Sequence, residues 1–304
     1  MAIETYNPNL ASGIVDLFNR EGGFSPFIAH LTPRLFERRV TAKGYFDPEG
    51  IFVETHGGRL TGAIFTTFKP SDDKSRLDYT TGVIDGFFFS DRRPACGDRL
   101  VDAALGYLKG RGAARVIGWA TEGEYPFWRD LYCGSEPVMH VASHHVCEAL
   151  LKKGFEKCQQ SVAMLARTNN RAPEIKIAYT IRSRPADQQA FWPRNSWLDL
   201  WPLTLEAEVE GYTAGRLGWC ALPATSRRRG VRTAGVYSLF VSEAYRRRGV
   251  ASALLARCFE QARRDGAEEI LLATGAENHA AIATYRKFGF VDVFEMTGTR
   301  LARL

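Results

Sequence analysis

The chain is 304 residues long, 45% of them apolar and 24% charged, with six cysteines and a formal net charge of +6. That composition describes a soluble globular protein of about two domains, large enough to bury its own core without staples. It excludes several classes. No apolar run approaches the about 18 residues of a membrane span, and the amino-terminal residues lack a basic-then-apolar export signal. The scattered cysteines contain no Cys-x-x-Cys, which argues against a zinc ribbon or a disulfide framework and suits a reducing cytoplasm.

In chain order, Asn7–Arg20 reads as a helix. Gly50–Glu54 and Leu60–Phe68 read as a hairpin turning at Gly57-Gly58. Gly82–Ser90 is a strand ending in three phenylalanines. A helix follows on Leu100, Val101, Ala104, Leu105 and Leu108, closed by Gly110. Ala114–Trp119 is a strand, a short helix ends at Gly154-Phe155, and Ser161–Leu165 is a strand. The polar stretch Thr168–Pro173 reads as a linker. Residues 186–210, with Trp192, Trp197 and Trp201, resist assignment: they form a substrate-side wall or packing between the halves. Leu217–Leu222 and Arg232–Val241, joined through Ser226–Gly230, read as a second hairpin. A helix carries Leu254, Leu255, Cys258, Phe259 and Ala262 and stops at Gly266. Strand Glu269–Ala273, a short helix to Gly289-Phe290 and strand Val291–Phe294 complete the chain.

The two halves therefore look like degenerate copies of one unit. They differ in length between loop and Gly-Phe pair: 57 positions from Gly97 to Gly154, but 38 from Ala251 to Gly289. The surplus is residues 122–143, rich in aromatic side chains, and an insertion of that length is functional or buried at an interface. Charge divides the halves too. Residues 1–170 carry 20 Lys and Arg against 20 Asp and Glu, and residues 171–304 carry 20 against 14. A polyanionic small ligand on the second half explains this better than a merely solvated arginine surface, and no recognition helix or aromatic RNA-binding motif supports nucleic acid.

The second half supplies a place for such a ligand. The apolar run Val236–Val241 leads into Arg246-Arg247-Arg248-Gly249-Val250-Ala251, which opens an amphipathic helix. A strand, a turn of amides and cations, then a helix N-terminus form a phosphate site, because free N–H groups converge there and the helix dipole favours anions. Gly249 lets the backbone approach closely, and Ala251 is nearly as small. Further on stands Asn278, then Tyr285-Arg286-Lys287-Phe288-Gly289-Phe290.

These two pieces resemble the GNAT superfamily of N-acetyltransferases. That family's acyl-CoA loop reads Arg/Gln-x-x-Gly-x-Gly/Ala, matched by Arg246, Gly249 and Ala251. Its second signature is matched by Asn278, Tyr285, Gly289 and Phe290. The resemblance implies an α/β fold of mixed sheets with flanking helices, as two GNAT-like domains in tandem at residues 1–168 and 174–304, a layout similar to that of mycothiol synthase. The first domain is degenerate: Pro94 removes an N–H, Ala95 replaces a loop glycine, and Leu150 stands where the other copy has Tyr285.

By the same resemblance, the backbone of Leu239, Phe240 and Val241 pairs with pantetheine and polarises the thioester carbonyl. Arg246, Arg247, Arg248, Gly249, Val250, Ala251 and Ser252 cradle the pyrophosphate. Asn278 bonds the pantetheine or is simply a helix cap. Tyr285 donates a proton to the departing thiolate or is simply a core tyrosine. No general base stands out; Glu277, Tyr237 and Ser238 are the relays within reach. His140 and His144, with His145 following, would put two imidazoles on one face only if that stretch is helical, and no Asp or Cys completes a metal site at a persuasive distance. The implied reaction is direct acetyl transfer from acetyl-CoA, without metal, to a small-molecule or peptide primary amine. The implied protein is a cytoplasmic monomer or homodimer with neither nucleic acid nor membrane as partner. Alternatives are a non-catalytic acyl-CoA-binding or sensing module, and an acyl-CoA decarboxylase or hydrolase.

Overall fold

A computed structural model describes residues 2–170, 173, 175 and 179–304; two residues of the expected linker, Arg171 and Ala172, lie outside the described residues. The elements run β1 (Ala2–Thr5), α1 (Ala11–Glu21), α2 (Pro33–Phe36), β2 (Ile51–His56), β3 (Arg59–Pro70), β4 (Leu77–Phe89), α3 (Pro94–Gly110), β5 (Arg115–Gly118), α4 (His144–Lys152) and β6 (Glu156–Arg167). They continue with β7 (Thr180–Pro185), α5 (Phe191–Ser196), β8 (Leu203–Val209), β9 (Tyr212–Ala221), α6 (Pro223–Arg229), β10 (Thr233–Val241), α7 (Val250–Arg264), β11 (Glu269–Gly275), α8 (His279–Lys287) and β12 (Val291–Leu301). The mixed α/β class expected from the sequence is what the chain adopts.

The chain forms two compact units. One comprises residues 1–160, 188–199 and 296–304; the other comprises 161–187 and 200–295. Each is a mixed sheet with helices against it. In the first, β1, β2, β3 and β4 are antiparallel neighbours in that order, β5 is parallel to β4, and the end of β12 pairs antiparallel with β5 at Thr299↔Gly118. In the second, β7, β8, β9 and β10 are successive antiparallel neighbours, β11 is parallel to β10, and Ser161–Arg167 of β6 flanks β11.

Local sequence accounts for most boundaries. The side chain of Asn7 caps the turn before α1, whose buried stripe is Ile14, Val15, Leu17 and Phe18. Gly57 and Gly58 both take the left-handed backbone of a tight hairpin. The connection between β9 and β10 differs from the expected turn. It is the helix α6, begun by Pro223 and ended by Gly230 in the left-handed region, with the Ser226 hydroxyl donating to Leu222 O at 2.7 Å.

The two sheets share one peculiarity. Parallel pairing of β4 with β5 covers Thr81–Ile84, and of β10 with β11 covers Thr233–Val236. In each unit a bulge follows at once, at Asp85-Gly86 and at Tyr237. In the first unit the space beyond the bulge is filled by residues 122–143, which bury Phe127, Trp128, Leu131, Tyr132, Val138 and Met139. The Trp128 indole N–H donates to Asp85 O at 2.7 Å, and a Cβ on Gly86 would stand 2.2 Å from Trp128 Nε1. Between Trp119 and Cys133, six non-glycine residues have positive φ, a conformation that persists only where surrounding packing enforces it. The insertion is thus core rather than lid.

An irregular buried segment must find partners for its backbone. Here buried ionisable side chains provide them. Lys43 Nζ donates to Pro126 O at 2.7 Å and to Ser196 O at 3.1 Å. The Asp85 carboxylate accepts from Phe127 N at 2.6 Å. Arg129 donates to Ser135 O at 2.6 Å and to Ser196 Oγ at 2.9 Å, its guanidinium 3.9 Å from the Trp197 ring centroid. Trp192 stacks on Tyr45 at 4.6 Å. Trp192 and Trp197 are therefore core side chains of the first unit, at 3% and 8% exposure. His140 precedes α4, so the condition for a shared histidine face is not met.

Burial pushes the Asp85 carboxyl up to about 7. The folded unit then keeps a proton that the unfolded chain releases near pH 4. The folded state binds more protons than the unfolded between about pH 4 and 7, so stability falls as pH rises through that window. Burial pushes Lys43 well below its usual value, which acts in the opposite sense, so the informative comparison is between variants. Asp85→Asn keeps an acceptor for Phe127 N–H and loses the titration. Its melting temperature should gain on the wild type by several degrees between about pH 5 and 8 in calorimetry. Parallel curves would remove Asp85 from the pH dependence.

Candidate functional site

The second unit's site is built on β10. Up to Val236 it lies beside β11; past that point β11 continues against β6, to Gly275↔Ser161, while β10 continues only against β9, to Val241↔Gly215. The two parallel strands therefore part, leaving one edge of Ser238–Val241 without a strand partner among the described residues. Leu239 and Val241 rest half-buried on the core, and Phe240 is 59% exposed.

Two glycines of β9 make the bulge and its neighbourhood possible. A Cβ on Gly218 would stand 2.4 Å from the Tyr237 ring and 2.7 Å from Ser238 Oγ. A Cβ on Gly215 would stand 2.8 Å from Phe240 O and 2.9 Å from Val250 Cγ1. Strand end, following loop and first residue of α7 meet because Gly215 has no side chain. Isolated glycines inside a strand pattern mark such close approaches, and that signal was present in Gly215-Arg216-Leu217-Gly218.

The loop after β10 is tied back by Ser242 N–H to Ala214 O at 2.9 Å and by Arg246 Nε to Val241 O at 3.4 Å. Arg247 and Gly249 both have positive φ, 65° and 84°, which turns successive backbone groups outward before α7 begins at Val250. The Tyr179 hydroxyl donates to Arg248 O, a support not visible in the motif. No side chain caps α7, so its first amides face the turn. Arg246, Arg247, Arg248 and Gly249 are exposed, Val250 is buried, and Ala251 and Ser252 are half-buried. None of the three arginines makes an ion pair among the described residues. Exposed cations and outward amides at a helix start are the features from which anion sites are built.

Across the parting of the strands, β11 leads to Asn278. Its side chain accepts from Ala281 N at 3.3 Å and donates to Thr274 Oγ1 at 3.3 Å, so it caps α8. Tyr285, two turns on, is 6% exposed in the core cluster, its ring 5.7 Å from that of Phe290. Among the relays considered, Tyr237 OH donates to Leu203 O at 3.4 Å, Ser238 is exposed, and Glu277 stands in solvent 3.6 Å from His279 Nε2. Of Trp192, Trp197 and Trp201, the last alone belongs to this unit, and it is 84% exposed.

Comparison with known proteins agrees with this geometry. Residues 166–290 match the model of the acetyltransferase (GNAT) family. An N-alpha-acetyltransferase of Saccharolobus solfataricus is 35% identical over 95 residues, which cover 31% of this chain and 57% of the relative's length. The fold resembles a tandem GNAT protein from the clavulanic acid biosynthesis pathway, with a TM-score of 0.65 at 12% identity, covering 98% of this chain and 97% of that one. A GCN5-related N-acetyltransferase from Sphaerobacter thermophilus gives a TM-score of 0.66 at 15% identity, covering 100% and 96%.

The glycine contacts make a direct prediction. Gly215→Ala and Gly218→Ala should each destabilise the protein by about 1–3 kcal/mol, as overpacking does. Gly275→Ala, where an added Cβ meets nothing within 4 Å, should stay within about 0.5 kcal/mol. Equal effects at all three positions in denaturant titrations would mean that the bulge does not depend on these close approaches.

Proposed function

We propose that the chain is an acetyltransferase of the GNAT type, on the match of residues 166–290 to that family's model, and that its second domain moves an acetyl group directly from acetyl-CoA to a primary amine. The observation that carries this reading is the sequence of features along β10: parallel pairing that ends at Val236, a bulge at Tyr237, then the arginine turn with left-handed Gly249 at the uncapped start of α7. In this proposal the domains are residues 1–168 and 174–304, with chemistry confined to the second. The filling of the corresponding space by Trp128 supports the absence of a donor site in the first.

Each residue then has a task. Arg246, Arg247 and Arg248, with the amides of Gly249, Val250, Ala251 and Ser252, hold the donor's phosphates. The unpaired backbone edge of Leu239, Phe240 and Val241 orients the pantetheine and offers an N–H to the carbonyl oxygen on which charge develops. Asn278 fixes the start of α8, and its amide adds a polar contact to the same arm. Tyr285 gives its proton to the departing thiolate. The acceptor's own proton leaves through solvent or through Tyr237 or Ser238. The relative's name, N-alpha-acetyltransferase, puts a peptide α-amine beside small-molecule amines as an acceptor class. The six cysteines are all free thiols, in keeping with a reducing compartment. No helix among the described residues is long and apolar enough to cross a membrane.

The test is a library of small amines and peptide amino termini with acetyl-CoA, reading released thiol and product mass. Acetylated product from at least one amine is expected. Thiol release without any amine would instead make the protein a hydrolase, and tight acetyl-CoA binding with no turnover would make it a binding module. The burial of Tyr285 favours that last rival, so its variant is informative. Tyr285→Phe should lower turnover by about 100- to 10,000-fold while acetyl-CoA affinity stays nearly unchanged. A loss below about threefold would make Tyr285 a packing residue only.

Binding itself is tested separately. Calorimetric titration should find about one acetyl-CoA site per chain, and Gly249→Glu should abolish it by placing a negative side chain on a positive-φ residue inside the cradle. Two equal sites per chain would contradict the assignment of binding to the second domain.

A further inference from the structure

The second unit contains a cavity of about 420 Å³ that the proposed reaction does not use. Its walls come from the start of β10 (Thr233, Ala234), the end of β9 (Trp219, Cys220, Ala221), α6 (Pro223, Ser226, Arg227) and the turn after α7 (Asp265, Ala267), with Trp201, Leu203 and Arg232 completing them. Ala234 and Val241 are seven residues apart, on the order of 23 Å along an extended strand. The cavity and the arginine turn therefore lie at opposite ends of β10.

Its chemistry is selective. The body of the lining is apolar, and the volume suits a small molecule of a few rings. Trp201, at 84% exposure, holds a large apolar surface open to water at its rim. Among the described residues, the Trp219 indole N–H is buried without an acceptor, which is unfavourable for a donor removed from water. The polar groups of the wall are mostly spoken for: Ser226 Oγ accepts from Thr233 N at 2.9 Å, and Thr233 Oγ1 donates to Val231 O at 3.0 Å. Two exposed cations are not. Neither Arg227 nor Arg232 makes a side-chain hydrogen bond or ion pair among the described residues, against the single acid Asp265. The Arg232 guanidinium is set against Gly266, where a Cβ would stand 2.5 Å from it, so the residue at 266 helps to place it.

We propose that this cavity is a second small-molecule site, for a flat apolar molecule carrying a carboxylate. The ring system lies against Trp201, Leu203 and Trp219, and the carboxylate meets Arg227 and Arg232 at the mouth. The surplus of cations over acids excludes a simple amine as the preferred occupant. The site does not depend on the acetyl-transfer reading, because none of its walls belongs to the arginine turn or to α8.

The probe pair is indole-3-acetate and its neutral counterpart indole-3-acetamide, titrated calorimetrically into the full chain. The acid should bind at least tenfold more tightly than the amide, a difference of about 1.4 kcal/mol. Arg227→Gln combined with Arg232→Gln should bring the acid down to the affinity of the amide, and Trp201→Ala should weaken both. Unchanged melting temperatures would verify the fold of these surface variants. Gly249→Glu should leave binding intact. Equal affinities for acid and amide, no heat from either at millimolar concentration, or an arginine double variant that binds the acid as the wild type does would each overturn the proposal. Loss of binding in Gly249→Glu would overturn its independence from the donor site.

Discussion

Four residues into the pairing of β10 with β11, the two strands separate, and the candidate donor site of the second unit is arranged around that separation. A bulge at Tyr237 turns β10 away while its hydrogen bonds to β9 continue. Among the described residues, one backbone edge of Ser238–Val241 is left without a strand partner. Elsewhere in a sheet such an edge is a hazard; here the start of α7 lies beside the strand end, with Val250 and Phe240 O both against Gly215. The bulge in turn needs Gly218, and the seating of α7 needs Gly215. Two absent side chains on β9 thus shape a site to which β9 contributes no obvious chemistry.

The first unit repeats the same geometry and resolves it differently. Its parallel pairing also runs for four pairs and also ends at a bulge. There the opening is closed by the chain itself, with Trp128 against Gly86 and Asp85. An aromatic, irregular insertion can enter a core only if its amides and carbonyls find partners, and no regular ladder is available to it. Lys43, Asp85 and Arg129 supply those partners from below 9% exposure. Removing one member of such a set leaves a buried charge or an unpaired backbone group, a heavier cost than the hydrogen bond alone. The arrangement explains why charged residues occur where an apolar core would otherwise be expected.

Much of the fold was legible in residue order. The stripe of Leu254, Leu255, Cys258, Phe259 and Ala262 identified α7, and the Gly57-Gly58 turn identified the first hairpin. The arginine turn and Asn278 fell where the motif put them, at the start of a helix in each case. Strands β7 and β8 went unread, although Leu203, Leu205, Ala207 and Val209 alternate and Glu210-Gly211 turns with positive φ at both residues. The cluster of tryptophans nearby drew attention away from that alternation. Three tryptophans within ten residues met three environments, because burial depends on distant partners such as Tyr45 and Arg129 that periodicity cannot supply. The fate of residues 122–143 was hidden for the same reason: aromatic content is common to lids and to cores. The role of Tyr285 stayed open because a general acid and a packed tyrosine share one sequence pattern.

The course of the last strand has a consequence for how the protein comes into being. Residues 200–295 belong to the second unit, but Met296–Leu304 belong to the first, where Thr299, Arg300 and Leu301 pair with Gly118, Ile117 and Val116. Chains are made from the amino terminus and their domains generally fold as units as they emerge. Here that order is inverted for one of them. The unit that is synthesised first lacks its closing strand until residue 301 has been translated, while the unit synthesised second is already complete at 295. During that interval β5 waits with an open edge, and the nascent protein is most exposed to mispairing in its oldest part.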